Sequence, residues 1–116
     1  MATIVDGLNH AAVIRVMPNT PSQIGEGMTM WTCSPQVSDG AKELTRSILQ
    51  TMGEEIYVAD EKYLDMATAL SASGPAYVFL FIEALIDAGV HIGLTRDMAQ
   101  TMAIQTVLGS SKLAKE

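Results

Sequence analysis

Residues 75–93 read PAYVFLFIEALIDAGVHIG. Proline suits the first turn of a helix, where its missing N–H would be unpaired in any case, and Gly93 is placed to close the stretch. Between them apolar side chains fall on almost every face, unlike the single buried stripe of a surface helix. A chain of 116 residues has too little mass to surround such a helix, so another subunit is the natural cover. Glu83 and Asp87 interrupt the run and leave it short of the roughly 20 apolar residues that a membrane span requires.

Toward the C-terminus, Thr95 is a cap for a last helix, RDMAQTMAIQTVLGSSKLAKE, in which Ala99 and Ala103, then Gly109 and Ser110, offer small surfaces for close helix approach. Self-association is therefore expected through residues 75–92 and 96–116. Toward the N-terminus, EKYLDMATAL (61–70) reads as a helix and SASG (71–74) as a break in it. From Glu61 onward no strand is readable.

Before Glu61 the texture is that of strands. AVIRVM (12–17) is rich in β-branched residues and nearly continuous in hydrophobicity, the mark of a strand covered on both faces. Pro18 cannot donate to a ladder and should end it. GMTMWTC (27–33) is a second strand and EEIYVAD (54–60) a third. Between them Ser38 is an N-cap for DGAKELTRSILQTM, with Leu44, Ile48 and Met52 on one stripe and Gly53 placed for a left-handed C-cap. TIVDGLNH (3–10) reads as the end of a helix. The fold class expected is α/β followed by all-α, divided near residue 60 into 1–60 and 61–116. The last helix meets no stop signal and the first piece is too short to bury its own face, so both ends read as cut from a longer protein.

Composition narrows the function classes. Hydrophobic residues make up 48% and charged residues 17%, so the chain should fold. A net charge of -6 and a pI near 4.7 disfavour nucleic acid or an anionic membrane as partner. A small anionic substrate is compatible, because local sites override net charge. Cys33 is alone, which excludes an internal disulfide and suits a reducing, cytoplasmic compartment; it reads as a buried core thiol. MATIVDGLNH lacks the basic and apolar regions of a signal peptide.

Few residues carry a chemical signal. Gly25-Glu26-Gly27 is the nearest approach to a phosphate loop, but it lacks a third glycine, lies between strands and places Glu26 where phosphate would come. It reads as a turn. Ser71 and Ser73 have no paired histidine and no nucleophile elbow, and Ser73 reads as a helix cap. His10 and His91 lack metal-ligand spacing. Glu83, Asp87 and His91 recur every fourth residue and read as a solvated or helix-pairing edge, with His91 near the helix C-terminus, rather than an acid–base line.

Met17-Pro18-Asn19-Thr20-Pro21, then Gly25-Glu26-Gly27, and above all the long string from Asp60 to Ser111 with Ser71-Ala72-Ser73-Gly74-Pro75-Ala76-Tyr77 and Gly93-Leu94-Thr95-Arg96, resemble pyrroline-5-carboxylate reductase. Ala72 stands where that family usually has glycine, and Thr95 where it usually has proline. The resemblance covers essentially the whole chain. It implies the last strands of a Rossmann-like nucleotide domain joined to the first helices of a helical oligomerisation domain. The implied activity is hydride transfer from NADPH or NADH to the C=N carbon of 1-pyrroline-5-carboxylate, giving proline. Met17, Pro18, Asn19 and Thr20 would flank the cofactor's nicotinamide; Ser73, Gly74 and Pro75 would approach the substrate from the helical side. The family's glycine-rich phosphate loop and its substrate-carboxylate loop are not in these 116 residues, so the isolated chain should have little activity. A non-catalytic dimerisation module, or a related imine or keto-acid reductase, are the rival readings.

Overall fold

The computed structural model describes residues 1–116, which fold as two compact units, Met1–Pro75 and Ala76–Glu116. The first holds α1 (Ala2–Leu8), β1 (Ile14–Met17), a 3₁₀ turn (Thr20–Ile24), β2 (Gly27–Cys33), α2 (Asp39–Gln50), β3 (Gly53–Tyr57), α3 (Lys62–Ala67) and a π-helical turn (Thr68–Ala72). The helices α4 (Gly74–His91) and α5 (Arg96–Leu113) follow.

The sheet order is β1-β2-β3, with β1 antiparallel and β3 parallel to β2. A parallel neighbour needs a crossover, and α2 supplies it. Ser38 caps α2 as expected, its Oγ accepting the Ala41 amide at 3.2 Å. The central strand carries the core: Trp31, Thr29 and Thr32 are fully buried, joined by Val13, Val37, Leu49 and Leu64. Trp31 Nε1 donates to Glu55 Oε2 at 2.6 Å, and Arg46 pairs with the other oxygen of that carboxylate at 3.3 Å. The lone buried indole N–H is thereby satisfied by a charged acceptor. Ser34, also buried, accepts the Val13 amide at 2.9 Å and donates to the Ala11 carbonyl at 2.6 Å, fixing the entry into β1.

Four expectations are corrected here. β1 is an edge strand and Val16 is exposed, so it is not covered on both faces within this chain. On α2 the buried residue is Leu49, while Leu44 and Ile48 are exposed; the helix presses the adjacent face onto the sheet. Gly53 is not a helix C-cap, a place taken by Thr51. It opens β3 at φ 135°, in register with Gly27. Cys33 is only half-buried, its Sγ 3.8 Å from the Tyr57 hydroxyl.

In the second unit Ile86, Ala99 and Ala103 form a small core, with Ile82, Leu85 and Leu94 packed against it. The close approach expected of Ala99 is real: a Cβ on Gly89 would lie 2.8 Å from the Ala99 Cβ. Gly109 and Ser110 make no such approach within the chain. Thr95 caps α5, its Oγ1 accepting the Met98 amide at 3.3 Å. Tyr77, Phe79, Leu80, Phe81 and Ile92 are exposed. The helical run Lys62–His91 has 30 residues and contains an 18-residue window of mean hydropathy 1.6, only 6% buried. By length and composition alone it could cross a membrane, which the shorter stretch read from the sequence could not. The same exposed surface is equally that of a subunit interface.

Candidate functional site

Pro18 ends β1, as its missing amide requires, and the chain turns through Asn19 into the 3₁₀ helix, with Pro21 in its first turn. Asn19 is the centre of this corner. Its backbone carbonyl accepts the Ser22 hydroxyl at 2.7 Å and the Ser22 amide at 3.2 Å. Its side-chain Oδ1 accepts the Met28 amide at 2.9 Å, and its Nδ2 donates to the Ser71 carbonyl at 3.0 Å. The last bond ties the end of β1 to the π-helical turn, 52 residues away in sequence.

Gly25, Glu26 and Gly27 form a turn with an internal purpose. Gly25 closes the 3₁₀ helix at φ 76°, and the Glu26 amide donates to the Pro21 carbonyl at 3.1 Å. A Cβ on Gly27 would fall 2.6 Å from the Ser22 Cβ and 2.8 Å from the Met52 carbonyl oxygen. Close packing requires glycine at 27, and the left-handed backbone favours it at 25.

The second predicted segment departs from its expected role. Ser73 has helical backbone angles of -84° and -16°, not the extended geometry of an N-cap, and its amide donates back five residues to the Thr68 carbonyl at 2.9 Å. The hydroxyls of Thr68 and Ser71 turn inward to the Leu64 and Ala67 carbonyls, each at 3.1 Å. Neither the Ser73 nor the Thr20 hydroxyl bonds any protein group. Pro75 lies in the first turn of α4 as expected, but helical turns already precede it.

Charged groups lie outside the corner's own residues, Met17–Thr20 and Ser71–Pro75. Arg15 binds Glu61 at 2.5 Å and Asp65 at 3.6 Å. The Met1 ammonium, and then the Arg15 guanidinium, hold the Glu61 carboxyl below its ordinary value. Asp87 pairs with Arg96 at 3.3 Å, and Glu83 and His91 are exposed within this chain, as expected of a solvated or helix-pairing edge. The Cys33 contact, and secondarily burial, raise the Tyr57 hydroxyl above its usual range.

Known proteins share the sequence and the fold of this chain. Residues 61–116 match the family model for pyrroline-5-carboxylate reductase dimerisation. A pyrroline-5-carboxylate reductase of Synechocystis is 44% identical over 113 residues, which is 97% of this chain and 42% of the relative. Over nearly its whole length the chain is similar to pyrroline-5-carboxylate reductases. The reductase of Pisum sativum is 43% identical over 105 residues, 90% of this chain and 38% of that one. Among solved structures, the pyrroline-5-carboxylate reductase of Coxiella burnetii superposes with a TM-score of 0.90 at 39% identity, covering 97% of this chain and 42% of that chain. The Plasmodium falciparum enzyme, solved with NADP bound, gives 0.86 at 41% identity, covering 90% and 42%. The chain therefore spans about two fifths of the length of the pyrroline-5-carboxylate reductases it matches. Its sheet is the last part of a Rossmann-like domain and its helices the first part of a helical dimerisation domain, as the sequence led us to expect. The match runs through the strands as well as the helices.

What sequence reasoning missed is the Ser71 carbonyl as the partner of Asn19. A backbone oxygen has no residue-type signal. The only clue was Pro75 four residues on.

Proposed function

We propose that this chain is part of an NAD(P)H-dependent reductase that converts 1-pyrroline-5-carboxylate to proline, contributing the nicotinamide rim and self-association helices. The observation that supports this most is the Asn19–Ser71 bond at 3.0 Å, which joins the end of a sheet strand to the start of the helices. Ligands of open α/β sheets sit at such strand ends. The groups left free at this corner suit a neutral ring: the unpartnered Thr20 and Ser73 hydroxyls, with no carboxylate among Met17–Thr20 or Ser73–Pro75. Bound NADPH or NADH supplies a hydride to the imine carbon. Met17 and Pro18 pack against the ring, Thr20 offers it a hydroxyl, and Ser73, Gly74 and Pro75 close on the substrate side. Their work is alignment, since a protonated imine is already electrophilic.

Self-association uses residues 75–92 and 96–116; the exposed Phe79, Leu80 and Phe81 lie within the stretch that matches the dimerisation family. A second copy of the chain, and not lipid, is the cover we assign to this surface. We place the domain division at residues 60 and 61, and the protein in the cytoplasm, in keeping with its lone Cys33.

The test is a chimera in which this chain replaces the matching 113-residue stretch of the Synechocystis reductase. Proline formation dependent on NAD(P)H is expected from the chimera, with at most traces from the 116-residue chain alone. A folded, dimeric chimera that does not turn over 1-pyrroline-5-carboxylate refutes the reading.

A further inference from the structure

We propose that Asn19 is a positioning residue that supplies the hydrogen bond Pro75 cannot make, and so locks the Met17–Thr20 rim to the Ser71–Pro75 turn. The inference rests on the reductase reading for its kinetic consequence and on geometry alone for its structural one. In an α-helix the carbonyl of Ser71 accepts the amide of residue 75. Residue 75 is proline: it has no N–H, and its ring crowds the carbonyl four residues back. Helical turns precede it from Lys62, so the loss is not that of a free helix start. The backbone answers by widening into the π turn, with the Ser73 amide reaching Thr68 at 2.9 Å. The Ser71 carbonyl accepts from Asn19 Nδ2 at 3.0 Å instead.

Only an asparagine-like group fits this post. One end of the side chain must donate to Ser71 while the other accepts the Met28 amide at 2.9 Å. Aspartate at that position keeps the second bond but, ionised, turns an acceptor toward an acceptor. Alanine loses both. Single-turn π segments recur at functional sites; here the segment sits between the two stretches assigned to cofactor and substrate. Asn19 acts on the reaction by fixing backbone, with its side chain already committed within the protein.

A double-mutant cycle in the chimera tests this, using N19D and P75A. P75A restores an amide at residue 75 that can bond to Ser71 directly. With N19D alone, kcat should fall at least tenfold at pH 8, with the KM for cofactor changed less than threefold. Activity should recover as the pH falls and the new carboxyl regains a proton to donate. Whatever P75A does by itself, the N19D penalty should shrink at least fivefold in its presence. Hydrogen exchange at the Ser73 amide, followed in the 116-residue chain and in the chimera, should quicken in N19D and slow again in N19D/P75A. An N19D enzyme equal to wild type at every pH overturns the proposal, as does a penalty and an exchange rate indifferent to P75A. An inactive parent chimera refutes the reductase reading alone, and the exchange rates still decide the role of Asn19.

Discussion

Replacing Gly53 with alanine is expected to remove a large share of the first unit's stability. Gly27 and Gly53 face each other in the parallel register that begins β2 and β3, and the Gly27 amide donates to the Met52 carbonyl at 2.8 Å. A Cβ at residue 53 would overlap the carbonyl oxygen and amide nitrogen of Gly27. These are backbone atoms, unable to rotate away. The φ of 135° adds strain that an L side chain does not otherwise accept. Overpacking and backbone strain together amount to roughly 3–5 kcal/mol, against a total of about 4–11 kcal/mol for 75 residues at typical stability per residue. Gly40→Ala is the control: nothing lies within 4 Å of its Cβ position, in the first turn of α2. It should raise stability by about 0.5–1 kcal/mol. Urea unfolding followed by far-UV circular dichroism separates the two; a Gly53→Ala midpoint within 0.3 M (an order-of-magnitude allowance on the slope) of wild type would contradict the assigned register.

Trp31→Ala should be nearly as severe. The indole is completely buried, meets the Tyr57 ring edge-on with centroids 4.8 Å apart, and donates to Glu55. Truncation removes the largest side chain of the core and leaves a cavity, a loss of about 3–5 kcal/mol. Trp31→Phe removes the indole N–H together with only part of the buried ring. It keeps an aromatic ring but leaves Glu55 with Arg46 alone, and the lost bond should cost about 1.5–3 kcal/mol, the range for hydrogen bonds to charged groups. Equal destabilisation by Phe and Ala would mean that the ring Phe retains contributes little and the part it removes nearly everything.

The sequence revealed the fold by its punctuation. β2 begins and ends where Gly27 and Cys33 bound the apolar run, Ser38 and Thr95 cap the helices they precede, and the all-round apolar helix is exposed as its composition requires. Faces were harder to read. The period of α2 admits a stripe through Leu44 and Ile48, yet Leu49 is the residue covered, because which face is used depends on where β3 lies. The 3₁₀ turn at Thr20–Ile24 was hidden within a stretch with two prolines and two glycines that reads equally well as irregular loop. Met17–Thr20 and Ser73–Pro75 were legible as a pair only through family resemblance. That a side chain of one reaches the turn leading into the other follows from a contact 52 residues apart in sequence, which no local pattern encodes.

In the function we propose, Met17–Thr20 forms the rim that meets the nicotinamide. Methyl-labelled methionine in the chimera reports on it directly, with Met17 assigned through Met17→Leu. On titration with NADP⁺ the Met17 methyl resonance should shift and show cross-relaxation to the nicotinamide ring protons, while the Met66 methyl, which is solvent-exposed on α3, should not. A chimera that binds NADP⁺ and forms proline while its Met17 methyl stays unmoved would place the nicotinamide elsewhere and contradict the account.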